Sequence, residues 1–199
     1  MEMNLIKQEI SSRLPQGFLS ILKGDNGILA GGCLRNIVSG KPVKDWDVFF
    51  VNKEDWEDFN DQMKPFEIQF TNSNLAKVNV RKFRIDDCNI DSIYYLHVQR
   101  LEYVVDTFDF TINMLWYDPN DEEIKGSLKY SADEIISHIE DKRLIVGDNL
   151  WYRASFFRAL KRYDRFRNEG YKIDEENIEK YKRYIALLKP VNVKINGGN

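Results

Sequence analysis

Two carboxylates spaced two residues apart carry the clearest chemical signal in the sequence. Asp45 and Asp47 open an apolar and aromatic run, residues 46–51, that predicts a strand buried on both faces. Residues two apart on a strand project from the same face, roughly 6 to 7 Å apart along it. Carboxylates placed in this way repel each other unless a cation lies between them, and hard oxygen ligands suit Mg²⁺, which also coordinates substrate phosphates. The pair therefore indicates a metal site for phosphate chemistry.

A pair of glycines ends the preceding apolar run. Residues 27–30 predict a short buried strand that stops at Gly31 and Gly32, and residues 33–39 predict a helix. Glycine lets the backbone approach a ligand closely, and the amide groups of a first helical turn suit phosphate oxygens. Arg35 lies on this helix and adds a cation for them. Together with the two carboxylates, this order of elements favours nucleotidyl transfer.

The elements that must position these residues form a mixed sheet with helices packed against it. Further strands are predicted at residues 66–71, 75–83 and 88–96, and an extended segment at 111–117. Further helices are predicted at 5–14, 18–23, 54–63, 98–105, 131–139, from 150 onward and at 174–188. Trp56 and Phe59 should face inward, and Ser131 with Glu134 forms a capping-box pattern. The predicted fold class is α+β.

Two separate segments carry a resemblance to a known family. Gly31-Gly32-x-x-Arg35 followed by Lys44-Asp45-Trp46-Asp47 is similar to the head domain of the polymerase β-like nucleotidyltransferases. Within that superfamily it resembles the class II, bacterial-type CCA-adding enzymes and poly(A) polymerases. The segment from Asp109 to Asn113 is similar to the Arg-Arg-Asp-Phe-Thr-Ile-Asn-Ala-Leu motif of the same family. The resemblance covers residues 20–170.

The resemblance implies a domain plan and a set of site residues. Residues 1–148 would form the nucleotidyltransferase head, 149–190 a helical neck and 191–199 a loose C-terminal tail. Asp45, Asp47 and Asp91 would be the catalytic and metal-binding carboxylates, holding two Mg²⁺ ions, with Mn²⁺ as the alternative ion. Asp86 and Asp87 stay open as alternatives to Asp91. The nucleotide-binding residues would be Gly31, Gly32, Arg35, Asp109, Asn113, Arg153, Arg158 and Arg162.

The implied activity is the metal-dependent transfer of a nucleoside monophosphate from an NTP, ATP or CTP, to an acceptor hydroxyl, with release of pyrophosphate. An RNA 3′ end, like that of tRNA, is the expected acceptor. Nucleotidylation of a protein or small molecule, as in other members of the wider superfamily, stays open as an alternative. Three departures from the family pattern keep a second alternative open, a non-catalytic nucleotide- or RNA-binding module. Asn36 replaces an acid, Thr107 and Phe108 replace arginines, and Trp151 replaces the arginine of the base-selecting helix.

The amino-acid composition limits the classes of partner that the protein can have. The chain has 199 residues, 43% of them hydrophobic, and no apolar run approaches membrane-spanning length, so we expect a cytoplasmic protein without a membrane partner. A net charge of −3 argues against coating nucleic acid by charge alone. Arg158, Arg162 and Arg165 nevertheless share one face of a predicted helix, which could bind triphosphate or RNA backbone, or remain a solvated face. A protein partner and the oligomeric state stay open.

Overall fold

A seven-stranded mixed sheet forms the centre of the molecule. The computed structural model describes residues 1–73, 78–147 and 153–173, with residues 177 and 179, and only the backbone of 70–73 and 153–160. The strands are β1 (Ile28–Ala30), β2 (Asp45–Phe50), β3 (Glu67–Ser73), β4 (Val78–Ile85), β5 (Cys88–Tyr95), β6 (Trp116–Asp118), β7 (Glu123–Lys125), β8 (Arg143–Leu144) and β9 (Lys172–Ile173). The sheet order is β3-β4-β5-β2-β1-β6-β7, and β8 pairs separately with β9.

Seven α-helices accompany the sheet in the described part of the chain. They are α1 (Met3–Arg13), α2 (Phe18–Gly24), α3 (Gly32–Val38), α4 (Lys53–Met63), α5 (Leu101–Asp106), α6 (Ala132–Glu140) and α7 (Arg153–Asn168). Short 3₁₀ turns cover Lys64–Phe66 and Thr111–Asn113. None of the helices in the described residues has the length and apolar character needed to cross a membrane. The α+β class predicted from the sequence is confirmed.

Most predicted elements are confirmed to within a few residues. The differences are short strands: β7, β8 and β9 were not predicted, and the extended segment at 111–117 divides into a 3₁₀ turn and β6. Strands of two or three residues carry too little periodicity to be detected from sequence. The predicted helix at 174–188 and the proposed boundary between residues 148 and 149 lie outside the described residues, apart from residues 177 and 179.

The pairing of β2 with β5 decides what lies on each face of the sheet. These two strands run parallel, whereas the other neighbours in the sheet pair antiparallel. One face is packed with most of the helices around a large apolar cluster. The other face holds a smaller apolar cluster, formed by Ile28, Ala30, Phe49, Val104, Val105 and Trp116. Because side chains alternate along a strand, Asp45 and Asp47 share this second face with Phe49.

The helix α4 is attached to the sheet by aromatic side chains. The Asn52 side chain caps its first turn by accepting a hydrogen bond from the Glu54 amide at 2.9 Å. The Phe59 ring is fully buried, with its centroid 5.1 Å from that of Phe50 and 6.0 Å from that of Phe18. The inward orientation predicted for Trp56 and Phe59 is confirmed.

We expect Phe59→Ala to lower the free energy of unfolding by about 3 to 5 kcal/mol, because it removes a buried ring and leaves a cavity between rings that cannot close over it. Urea unfolding followed by circular dichroism would measure the change. The neighbouring Asp58→Ala changes an exposed residue of the same helix and should leave stability within about 0.5 kcal/mol. A small loss in both variants would contradict the assignment of Phe59 to the core.

Candidate active site

Three carboxylates lie together on the less covered face of the sheet. In the parallel register of β2 and β5, Asp45 pairs with Asn89 and Asp47 pairs with Asp91. Asp45, Asp47 and Asp91, here called the carboxylate cluster, therefore occupy one face of two adjacent strands. The Asn89 amide donates to Asp45 Oδ1 at 3.3 Å. The structure thus brings together the three acids that the sequence predicts as metal ligands.

Asp47 lies in surroundings that disfavour its charged form. Burial raises the pKa of its carboxyl to about 7, and the neighbouring charges of Asp91 and Asp45 add to the increase. Arg162 and Lys82 act in the opposite direction. A carboxylate held in this way is stabilised by any cation that reaches it.

The glycine turn lies directly beside Asp47. Gly31 follows β1 with φ +88°, a conformation that favours glycine, and a Cβ atom at this position would lie 3.4 Å from Asp47 Oδ2. Gly32 begins α3. The absence of a side chain at position 31 therefore leaves backbone next to the carboxylate, and the Phe108 ring lies 3.8 Å from the same Cβ position.

Lys82 is a site residue that the sequence interpretation did not include. It pairs with Asp91 in the antiparallel register of β4 and β5, and its Nζ donates to Asp91 Oδ2 at 2.6 Å. The two residues are equally distant from the hairpin turn at residues 86–87, so counting outward from that turn would have found the pair. Asp86 and Asp87, the alternatives to Asp91, lie exposed in the turn itself.

The donor atoms fit a hard divalent cation, although the side chains do not form a complete cage. The described residues contain no group of three or more acidic, histidine or cysteine side chains placed to hold a metal ion as they stand. Asp47 offers a carboxylate oxygen beside Gly31, Asp45 lies two residues before it on the same face of β2, and the Asp91 carboxylate is engaged by Lys82. Oxygen ligands from two carboxylates suit Mg²⁺ or Mn²⁺ with water or phosphate oxygens in the remaining positions.

A buried polar network lies next to the cluster. Asp109 is 4% exposed and accepts hydrogen bonds from Arg162 at 2.9 Å and from the Asn113 amide at 3.2 Å. Arg162 belongs to α7, so this ion pair fixes the helix against the segment that contains Asp109. The positive charge of Arg162 also lowers the pKa of Asp47, so this guanidinium contributes positive potential at the cluster.

Arg35 is part of the same network and is 8% exposed. Its guanidinium donates to the Asn113 and Asn36 side-chain oxygens, the latter at 2.9 Å, and lies 4.9 Å from the centre of the Phe166 ring. Burial lowers the pKa of Arg35, and the neighbouring Arg165 adds to that decrease. The residue predicted to hold triphosphate is therefore directed into protein contacts, with Asn36 as one acceptor.

Of the three arginines of α7 predicted to bind nucleotide, the structure describes the side chain of Arg162 alone. Arg153 and Arg158 belong to the start of α7, where the side chains are outside the described residues. Arg162 lies about one helical turn after Arg158 and forms an ion pair with Asp109. The base-selection segment at 148–152 is also outside the described residues.

Solved structures share this fold. The chain matches the Thermotoga maritima CCA-adding enzyme complexed with tRNA with a TM-score of 0.68 at 15% identity, covering 94% of this chain and 47% of that one. CCA-adding enzyme complexes with CTP and with ATP match with TM-scores of 0.66 and 0.61 at 15% and 16% identity, each over 94% of this chain and 46% of theirs. The chain thus spans about half the length of these proteins. The fold is that of a polymerase β-like nucleotidyltransferase head.

The family is shown by sequence. A model of the Gabija anti-defense 2 family matches residues 3–162, and the chain belongs to that family. A search of the curated proteins finds no match. The relation to CCA-adding enzymes and poly(A) polymerases is therefore one of nucleotidyltransferase-like fold.

We expect Arg35→Ala to lower the free energy of unfolding by about 2 to 4 kcal/mol, because it leaves a cavity against Phe166 and removes hydrogen bonds from a buried amide. Chemical denaturation would measure it, with the exposed Arg84→Ala as the control of equal chemistry. Unchanged stability together with weaker nucleotide binding would instead support the triphosphate role implied by the sequence.

We expect Asp47→Asn to change the pH dependence of stability. The folded-state pKa of Asp47 is raised from 3.8 to about 7, so the folded protein binds more protons than the unfolded chain between these values. Stability of the unsubstituted protein should therefore fall as pH rises through that window and level off above it. At pH 8 the Asn variant should be more stable, on the order of 3 kcal/mol, with the difference vanishing near pH 4.

Denaturant titrations across this pH range would measure the effect, and Asp86→Asn in the exposed hairpin turn should keep the original profile. Parallel profiles for Asp47→Asn and the unsubstituted protein would show that the Asp47 carboxyl is not held as described.

Proposed function

We propose that the chain is a metal-dependent nucleotidyltransferase that moves a nucleoside monophosphate from an NTP to an acceptor hydroxyl. The observation that carries the proposal is the carboxylate cluster beside Gly31. Asp47 and Asp91 lie at the same level of adjacent strands, and ionised Asp47 stands unfavourably close to like charge. Such an arrangement suits a site whose ligand brings cations and phosphates.

Asp45 and Asp47 would hold the divalent cation, Mg²⁺ or Mn²⁺. When bound, the cation neutralises charge on the α-phosphate and lowers the pKa of the attacking hydroxyl. Gly31 places backbone without a side chain next to Asp47 Oδ2, where a phosphate-bound ion would lie. The protein contributes the position of these oxygens, which the parallel register of two central strands fixes.

The transfer itself exchanges a phosphoanhydride bond of the NTP for a phosphoester bond to the acceptor. The acceptor oxygen forms a bond to the α-phosphorus, the bond from that phosphorus to the bridging oxygen breaks, and the electron pair leaves with pyrophosphate. The hydroxyl proton passes to solvent. Arg162 would bind triphosphate oxygens, since Asp109 holds its guanidinium and the side chain is 44% exposed. Arg153 and Arg158 would extend the same contact along α7.

An RNA 3′ end is the acceptor we place first. The structural relatives are complexed with tRNA, with CTP and with ATP, and the chain shares their fold over most of its length. The basic face of α7 supplies the chemistry for contacts to RNA phosphates. ATP or CTP would be the donor.

A protein acceptor is the second candidate, and the family name favours it. A Gabija anti-defense protein could act by nucleotidylating a component of the defence system that it counters. Binding without transfer is the non-catalytic variant of this idea, and it agrees with the engagement of Asp91 by Lys82. These candidates use the same site and differ in which acceptor, if any, receives the labelled nucleotide.

We expect the purified protein, incubated with Mg²⁺ and each α-labelled NTP in turn, to transfer label to an acceptor, and Asp47→Ala to reduce transfer at least a hundredfold. Total cellular RNA and a protein lysate would be offered together, and the label would be resolved among RNA, protein and small molecules. Asp47→Ala should keep its fold, because burial and repulsion by Asp91 and Asp45 outweigh the attraction of Arg162 and Lys82 for this carboxylate.

The matched control is Asp86→Ala, an exposed acid outside the cluster, which should transfer at the original rate. Label in RNA would support the first candidate, and label in protein the second. Nucleotide binding without label anywhere would contradict the enzyme and favour the non-catalytic module.

A further inference from the structure

We propose that Lys82 takes the place of a second metal ion, so that the carboxylate cluster binds one divalent cation where the resemblance to CCA-adding enzymes implies two. The inference rests on the proposed function, since it concerns the same site. Its basis is the ion pair between Lys82 Nζ and Asp91 Oδ2, at 2.6 Å.

The position of Lys82 is set by the backbone. The strands β4 and β5 form a continuous antiparallel hairpin, paired from Val78 with Tyr95 to Ile85 with Cys88. Asp86, in the turn, adopts φ +51°, so the turn is tight and the register has little freedom to shift. Lys82 is therefore held opposite Asp91 on the side away from Asp47.

The three residues form a row across three strands. Asp47 on β2 faces Asp91 on β5, and Asp91 faces Lys82 on β4. Because all three side chains project from the same face, the ammonium is placed at the end of the row as a cation would be. The side chain of Asp91 is 18% exposed and that of Lys82 is 39% exposed, so water screens their attraction only in part.

The charges within the site balance with one divalent ion. Asp45, Asp47 and Asp91 supply three negative charges and Lys82 one positive charge, which leaves an excess of two negative charges. The charge of Asp109 is met separately by Arg162. A second divalent ion on Asp91 would have to displace the ammonium or stand beside it against direct repulsion. The geometry therefore assigns Asp45 and Asp47 to the ion, and Asp91 to Lys82.

Lys82 acts through Asp91 and is in this sense a positioning residue. It fixes the Asp91 carboxylate away from the ion and supplies a positive charge that does not depend on metal concentration. Removing the ammonium should free Asp91 to complete a second ion site with the oxygens of Asp47.

The test counts bound Mn²⁺ in the absence of nucleotide, from the electron paramagnetic resonance signal of the free ion. The unsubstituted chain should saturate at one Mn²⁺, and Lys82→Met should saturate at two. Lys82→Arg, which keeps the charge, should bind one. Lys44→Met, an exposed lysine beside Asp45, is the matched control and should also bind one.

A double variant makes the result independent of any general loosening of the site. Lys82→Met combined with Asp91→Asn should return to one ion, because the second site needs the Asp91 carboxylate. Two ions in the unsubstituted chain, or one ion in Lys82→Met, would overturn the role of Lys82. If Asp47→Ala then still loses the first ion, the proposed function stands; a chain that binds no Mn²⁺ would overturn both.

Discussion

The repulsion between Asp47 and Asp91 is the constraint on which the site depends. Parallel pairing of two central strands places these carboxylates at one level, and burial prevents water from screening them fully. Two positive side chains of the surrounding structure reduce this repulsion: Lys82 from the other strand of the hairpin and Arg162 from α7. These positive charges offset the cluster only in part, and the negative charge that remains suits a site that binds a cation.

The second organising contact is the buried network around Asp109. This acid joins Arg162 of α7 to Asn113, and Asn113 accepts from Arg35 beside the glycine turn. One connected set of hydrogen bonds therefore links the turn next to Asp47 with the helix that carries the basic residues. A substitution of Arg35 should therefore alter the position of Arg162, because each buried polar group of the network depends on its neighbour for a hydrogen-bond partner. The network holds α7 with Phe166 in the large apolar cluster and with Arg162 directed to Asp109.

Local pattern predicted most of the fold and the pair of Asp45 and Asp47, the family resemblance added Asp91, and long-range packing decided the rest. The Asp45 and Asp47 pair, the glycine turn and the hairpin strands are each encoded in a few adjacent residues. Lys82 was missed because its role depends on strand register, which is visible only once β4 and β5 are paired. The burial of Arg35 was missed for a similar reason: its partner Asn113 and the Phe166 ring are far away in sequence. Charged residues near a glycine turn suggest phosphate binding, but tertiary contacts decide which of them face the ligand.

The energetics of Asp47 bear on whether the site is functional. An ionised carboxylate with a pKa raised to about 7 opposes folding at neutral pH, and an amide or apolar residue at this position would relieve the strain. A protein that used this fold only as a scaffold would gain stability by losing one of the three acids. Features that oppose stability are expected where they serve a ligand or a reaction. The presence of the whole cluster, with Asp47 beside Gly31, therefore supports the proposed nucleotidyltransferase site in a family named for countering a defence system.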